Sequence, residues 1–132
     1  MKTAKKLDEK THSEKQAAAQ YESIKEMVEN LKAAKTEEET ERAQQTIQED
    51  ALSAEVRSDW YAPGGDQDKP AEYRILLCWG GPACQLVGDL DEYGQPDTAK
   101  IEHQDWGTEW TEYDGTDEEI LLEYARQFYF GE

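Results

Sequence analysis

Two cysteines stand on either side of a glycine-glycine-proline turn in the stretch CWGGPAC, residues 78–84. Such a pair can bind a metal, cycle between thiol and disulfide, or occupy two small apolar positions on a β-hairpin. Cys78 and Cys84 lie opposite each other across the turn, so a disulfide requires that their Cβ atoms approach to about 4 Å. In a reducing compartment, however, two free thiols on a hairpin are the expectation.

Metal and redox chemistry both lack the residues that would complete a site. A structural zinc site needs four ligands, and the two histidines, His12 and His103, lie far from the turn in sequence without the usual paired spacing. The cysteines are too far apart for a CxxC motif, and no helix start follows them to stabilise a thiolate. We therefore predict no metal and no cofactor.

Three other patterns could carry catalysis, and each has a simpler interpretation. His103 and Asp105 share one face of a predicted strand, but without a nucleophile such a pair indicates a structural hydrogen bond. Carboxylate pairs such as Asp89 with Asp91 could serve acid-base chemistry, yet residues 54–132 hold nineteen carboxylates, so chance proximity is expected. The Gly-Gly pairs do not lead into a helix, as a phosphate-binding loop would. The sequence predicts a protein that is not an enzyme.

The charge of the chain limits its partners. Its 132 residues include 31 acidic and 14 basic side chains, for a net charge of −17. This charge repels nucleic-acid phosphates and anionic membrane surfaces, which excludes direct binding to either. No apolar run approaches a membrane span or a signal-peptide core, and two cysteines do not make a disulfide scaffold. We therefore expect a cytoplasmic protein.

The charge and composition divide the chain near residue 53. Residues 1–53 hold nine basic and twelve acidic residues, with no Gly, Pro or Trp, whereas residues 54–132 hold five basic and nineteen acidic residues and all the Gly, Pro and Trp. The first composition is typical of helices and the second of strands and turns. We predict a helical arm over 1–53 and an acidic α+β domain over 54–132.

The arm is predicted to be a helical hairpin. Apolar residues recur at spacings of three and four over 13–34, which is the pattern of an amphipathic helix; they are Ala17, Tyr21, Ile24, Val28 and Leu31. Thr36 followed by Glu39 predicts a capping box that opens a second helix. The apolar seam fits either packing against the rest of the chain or homodimerisation through residues 13–52.

The domain is predicted to be an antiparallel sheet of about four strands covered by a C-terminal helix. Extended segments separated by turns are predicted over 54–61, 72–79, 83–90, 98–106 and 108–113. Alternation in the second segment places Tyr73, Ile75, Leu77 and Trp79 on one side. Thr116 is the predicted N-cap of the final helix, whose apolar stripe faces the sheet.

Aromatic and acidic residues together indicate a surface for recognition. Trp106 and Trp110 stand among carboxylates in the run QDWGTEWTEYDGTDEE, and such a surface attracts basic protein surfaces. The predicted partner-binding residues are Asp89, Asp91, Glu92, Trp106, Glu109, Trp110, Glu112, Asp114, Asp117 and Glu118.

Residues 51–132 resemble a family of small acidic hypothetical proteins of phages, prophages and mobile elements. The resemblance lies in the segments ALSAEVRSDWYAPG, AEYRILLCWGGPACQLVGDLDEYGQP, IEHQDWGTEWTEY and LLEYARQFYFGE. It implies a phage or mobile-element origin and implies no activity or catalytic residues.

Origin and charge lead to a functional hypothesis. A non-catalytic counter-defence protein of the anti-CRISPR or anti-restriction type can bind the basic surface of a host protein or ribonucleoprotein with carboxylates in place of DNA phosphates. Inhibition through the aromatic residues without DNA mimicry is a close competitor. The alternatives are a phage structural or assembly protein that oligomerises through its N-terminal helices and an anti-defence protein that binds a small molecule through Arg57, Lys69, Arg74, Lys100 or Arg126.

Overall fold

A computed structural model describes residues 12–65 and 70–130 of the chain. The architecture is α+β, as predicted, with two N-terminal helices, a five-stranded antiparallel sheet and a C-terminal helix. The helices are α1 (His12–Ala33), α2 (Glu37–Asp50) and α3 (Glu118–Ala125), and the strands are β1 (Ser53–Ser58), β2 (Pro70–Cys78), β3 (Ala83–Asp89), β4 (Lys100–Gln104) and β5 (Thr111–Tyr113). The sheet thus has one strand more than expected. Of the predicted turn between segments 54–61 and 72–79, residues 66–69 lie outside the described residues, and β2 begins at Pro70.

The sheet is a meander in which each strand pairs with the next in the order β1-β2-β3-β4-β5. All four pairings are antiparallel. The β2–β3 and β4–β5 turns therefore lie at one end of the sheet, which we call the hairpin end. The β1–β2 and β3–β4 connections and the exit from β5 toward α3 lie at the opposite end. This division decides which predicted site residues can meet.

One hydrophobic core joins the helices to one face of the sheet. Tyr73, Ile75 and Leu77 of β2 are buried on that face, as their alternation predicts. Ala17, Tyr21, Ile24 and Val28, the main part of the predicted seam, are buried in the same core. The seam of α1 is thus used within the chain, which is the first of its two predicted roles.

The capping box at the start of α2 is present. The side chain of Thr36 accepts a hydrogen bond of 3.0 Å from the N–H of Glu39. In return, the Glu39 carboxylate accepts one of 2.8 Å from the N–H of Lys35. The first bond satisfies one of the N–H groups that an isolated helix start would leave without a partner, and α2 begins at Glu37, immediately after its cap. The return bond reaches Lys35, one residue before the N–H of Thr36 that a regular capping box uses.

Two local predictions are wrong. Asp117 caps α3 in place of Thr116, because its carboxylate accepts a 3.0 Å hydrogen bond from the N–H of Glu119. Trp79 is 69% exposed instead of following Leu77 into the core. The pairing of β2 with β3 is irregular between Leu76 and Cys78, and β2 ends at Cys78, so the alternation stops before Trp79.

Candidate functional site

The structure gathers most of the predicted acidic residues at one end of the sheet. The β3–β4 connection and the segment from β5 into α3 both lie at the end opposite the hairpin end. We call their carboxylates the acidic end, which consists of Asp89, Asp91, Glu92, Asp97, Asp114, Asp117, Glu118 and Glu119. Residues 89–99 and 112–119 contain no Lys, Arg or His. The negative charge of this end is therefore not diluted by basic residues from its own segments.

Asp91 gives the β3–β4 connection a defined shape. Its side chain accepts hydrogen bonds from the N–H groups of Tyr93 at 2.8 Å and Gln95 at 3.0 Å. The backbone also closes on itself, because the N–H of Asp97 donates to the carbonyl of Asp89 at 2.8 Å. A loop held by these bonds presents its carboxylates in a fixed arrangement, so binding through them costs less ordering entropy.

Two contacts join the segments of the acidic end to each other and to the helices. Glu118 accepts a 3.1 Å hydrogen bond from the N–H of Ala99, which links the start of α3 to the chain entering β4. The N–H of Asp117 donates to the hydroxyl of Tyr21 in α1 at 3.0 Å. The two acidic segments are thus attached to one scaffold and keep their relative position.

The carboxylates of the acidic end have no ion-pair partner among residues 12–65 and 70–130. The ion pairs of this part of the chain involve Glu22, Glu38, Glu55, Glu72 and Glu102. Burial chiefly, and then the negative charge of Glu118, raise the pKa of Tyr73; Arg126 opposes this rise and Asp89 adds a smaller contribution to it. The acidic end therefore has a negative potential that Arg126 offsets in part near Tyr73.

Trp106 and Glu109 lie away from the acidic end, in the β4–β5 turn at the hairpin end. Trp106 is 85% exposed and Trp79, in the neighbouring turn, is 69% exposed. The two turns touch, because a Cβ placed on Gly81 would lie 3.0 Å from the Cβ of Trp106. Trp106 thus belongs to an aromatic surface at the hairpin end, which it forms with Trp79, and not to the acidic end.

Trp110 and Glu112 belong to a third region, the face of the sheet opposite the core. They line a shallow cleft of about 860 Å³ together with residues of all five strands. Its basic residues are already engaged by carboxylates, with Arg57 2.6 Å from Glu72, Lys100 3.7 Å from Glu102, and Arg74 bonded to Glu55. The cleft therefore offers no free cation for an anionic small molecule within the described residues.

Ser13, His103 and Asp105 form a buried hydrogen-bonded group that fastens α1 to the end of β4. The hydroxyl of Ser13 donates to the Asp105 carboxylate at 2.9 Å and lies 2.8 Å from Nδ1 of His103. The N–H of Ser13 also donates to Asp105, at 3.0 Å. Which of Ser13 and His103 donates in their shared bond depends on the tautomer of the imidazole.

This arrangement does not supply a catalytic serine. In a nucleophilic triad the aspartate bonds to the histidine and orients it, whereas here Asp105 accepts hydrogen bonds from Ser13 itself. Ser13 is also only 1% exposed. The sequence predicts a structural hydrogen bond within the pair His103 and Asp105; in the structure both side chains bond to Ser13.

The two cysteines are free thiols. Cys78 and Cys84 are paired across the hairpin, and Cys84 is fully buried. Burial, followed by the neighbouring Cys78, raises the pKa of the Cys84 thiol. Among the described residues, no group of three or more His, Cys, Asp or Glu side chains is placed to hold a metal ion.

We expect the two thiols to differ strongly in reactivity. Attack on a thiol reagent requires an exposed thiolate, and Cys84 has neither exposure nor a low pKa. In the native protein at pH 8, a chromogenic disulfide reagent should modify Cys78 first and Cys84 at least about a hundredfold more slowly. In denaturant both should react at once. Equal native rates for the two thiols would contradict the burial of Cys84, and a Cys84→Ser variant assigns the fast phase.

Within the described residues, no helix has the length and apolar character needed to span a membrane. Comparison with family models, with curated proteins and with solved structures finds no match to this chain.

Proposed function

We propose that the protein is a non-catalytic inhibitor that acts in the host bacterial cytoplasm against a nucleic-acid-targeting complex of the CRISPR or restriction type. Its partner is the basic groove with which such a complex holds DNA or RNA. The observation that supports this proposal is the acidic end, where eight carboxylates lie on two linked segments that contain no basic residue. The origin that the resemblance to phage proteins implies is a second argument for an inhibitor of host defence.

The proposed mechanism is occupation of the groove. Lysine and arginine side chains that follow a nucleic-acid backbone bind an array of negative charges and release the counterions of that array. A folded array of carboxylates can make the same contacts, and the bonds around Asp91 and Asp117 hold this array in shape. Inhibition then requires no chemical step.

Two other functions receive less support. Assembly of a phage structure through the seam of α1 conflicts with the burial of Ala17, Ile24 and Val28 within the chain. Capture of an anionic small molecule on the open face of the sheet would require Arg57, Arg74 and Lys100 to leave their carboxylates. The exposed Trp79 and Trp106 favour a second contact area on the same partner.

A phage-infection assay tests the proposal. Expression of the protein in strains that carry defined CRISPR or restriction systems should raise the titre of a targeted phage by orders of magnitude in at least one strain. The test variant removes four carboxylates of the acidic end that have no capping or loop-closing side-chain role: Asp89→Asn, Glu92→Gln, Asp97→Asn and Asp114→Asn. This variant should lose the protection and bind the purified complex about tenfold more weakly or worse.

The matched control removes the same charge from exposed helix positions, with Glu26→Gln, Glu29→Gln, Glu38→Gln and Glu41→Gln. It should protect the phage as the wild type does. Equal loss in both variants would mean that net charge alone matters, and no protection by the wild type in any strain would refute the inhibitor proposal. If the acidic-end variant kept its activity and Trp106→Ala lost it, we would assign binding to the aromatic surface instead.

A further inference from the structure

Within residues 12–65 and 70–130, the strand β1 lies at an edge of the sheet and has one unpaired side. It pairs with β2 alone in the strand order, whereas the other edge strand, β5, spans only Thr111–Tyr113. All six residues of β1 are exposed. A free edge of this length presents unpaired N–H and C=O groups to another strand, and β1 has neither the proline nor the lysine that commonly blocks such an edge.

The pairing pattern shows which backbone groups face the free edge. The N–H of Leu90 donates to the carbonyl of Ala71 at 2.8 Å, so the odd-numbered residues of β2 bond to β3. The even-numbered residues of β2 therefore bond to β1, where Arg74 lies opposite Glu55. Because backbone groups alternate along a strand, Ala54 and Val56 direct their N–H and C=O groups to the free edge.

The side chains of β1 are apolar on one face and balanced in charge on the other. On the face toward the helices, Val56 is 45% exposed and Leu52, just before the strand, is 61% exposed. On the opposite face, Glu55 bonds to Arg74 and Arg57 bonds to Glu72 at 2.6 Å. In a chain with a net charge of −17, the charged side chains of β1 itself are thus paired within the sheet, although the exposed Asp59 directly follows the strand.

We propose that β1 pairs antiparallel with β1 of a second copy of this chain, about a two-fold axis at Val56. Val56 then exchanges backbone hydrogen bonds with the partner's Val56. On the open face, Glu55 lies opposite the partner's Arg57 and Arg57 opposite the partner's Glu55. Each of these pairs adds to a row of charged side chains across the strands. In order, the row contains Arg74, Glu55, the partner's Arg57 and the partner's Glu72, so positive and negative charges alternate.

The axis at Val56 is specific, because an axis at a neighbouring residue would lose the pairing of opposite charges. An axis at Glu55 would oppose Glu55 to the partner's Glu55, and an axis at Arg57 would oppose two arginines. An axis at Ala54 would put Glu55 opposite the partner's Ser53. This pairing is independent of the proposed inhibitor function.

Sedimentation of the full-length protein tests the pairing. The wild type should form a species of twice 15.1 kDa as its concentration rises. Val56→Lys places two ammonium groups at the axis and should make the protein monomeric, while Thr111→Lys on the other edge strand should leave the dimer intact. Circular dichroism of each variant verifies that it is folded.

A charge-exchange experiment tests the register. Glu55→Arg and Arg57→Glu each place like charges across the axis, so each variant alone should be monomeric. An equimolar mixture of the two places opposite charges across the axis and should recover a mixed dimer. A monomeric wild type, a dimer that survives Val56→Lys, or a mixture that stays monomeric would overturn the proposal.

Discussion

Replacing Gly88 with alanine is expected to destabilise the protein by about 3 kcal/mol, the upper part of the range for overpacking. A Cβ built on Gly88 would lie 1.9 Å from the carbonyl oxygen of Thr98 and 2.8 Å from the hydroxyl of Tyr73. That hydroxyl itself donates to the Thr98 carbonyl at 2.7 Å. The methyl group therefore collides with backbone on one side and a buried ring on the other, and neither can move freely.

Urea unfolding followed by circular dichroism measures this effect. A loss of about 3 kcal/mol should lower the midpoint by roughly 2 M. Gly107→Ala is the matched control, since a Cβ there meets nothing within 4 Å although φ is +84°. It should cost about 1 kcal/mol through backbone strain alone. Equal midpoints for the two variants would show that the strand does not pack against Thr98 as described.

Replacing Ile24 with alanine should lower the free energy of unfolding by about 3 kcal/mol. Ile24 is fully buried between α1 and the rest of the core, and its removal leaves a cavity that the helix and the sheet cannot close. The size of the loss reports whether α1 belongs to the cooperative unit or is an appended arm. A single unfolding transition with a lowered midpoint is the expected result.

The exposed Glu26 on the same helix provides the comparison. Glu26→Ala removes a side chain of similar length from the solvent side and should change stability by less than about 0.5 kcal/mol. If Ile24→Ala were equally mild, α1 would not pack on the sheet in solution, and the division of the chain near residue 53 would describe an independent arm.

Local patterns were sufficient for most of the fold. The spacing of Ala17, Tyr21, Ile24 and Val28 predicts both α1 and its buried face, because a helix repeats every 3.6 residues. Thr36 and Glu39 predict the start of α2 for an equally local reason. The error at Thr116 arises because two neighbouring residues, Thr116 and Asp117, can both cap a helix. The error at Trp79 arises because the pairing of β2 becomes irregular just before it. Residue types alone do not predict either outcome.

The candidate site was less predictable, because it depends on which turns share an end of the sheet. Trp106 and Asp114 are eight positions apart in the sequence, yet β5 carries the chain from one end to the other between them. Asp97, by contrast, is not among the predicted binding residues and lies with Asp114 at the acidic end. Successive connections of a meander lie at opposite ends of the sheet, so the strand order alone separates Trp106 from Asp114.

The contact between Ser13 and Asp105 had no local signal, since 92 positions separate the two residues. It has a consequence for the newly made chain. The seam of α1 is synthesised before the strands on which it packs, β3, β4 and β5. During translation α1 can contact α2 early, but its docking on the sheet cannot be complete until β5 has been made.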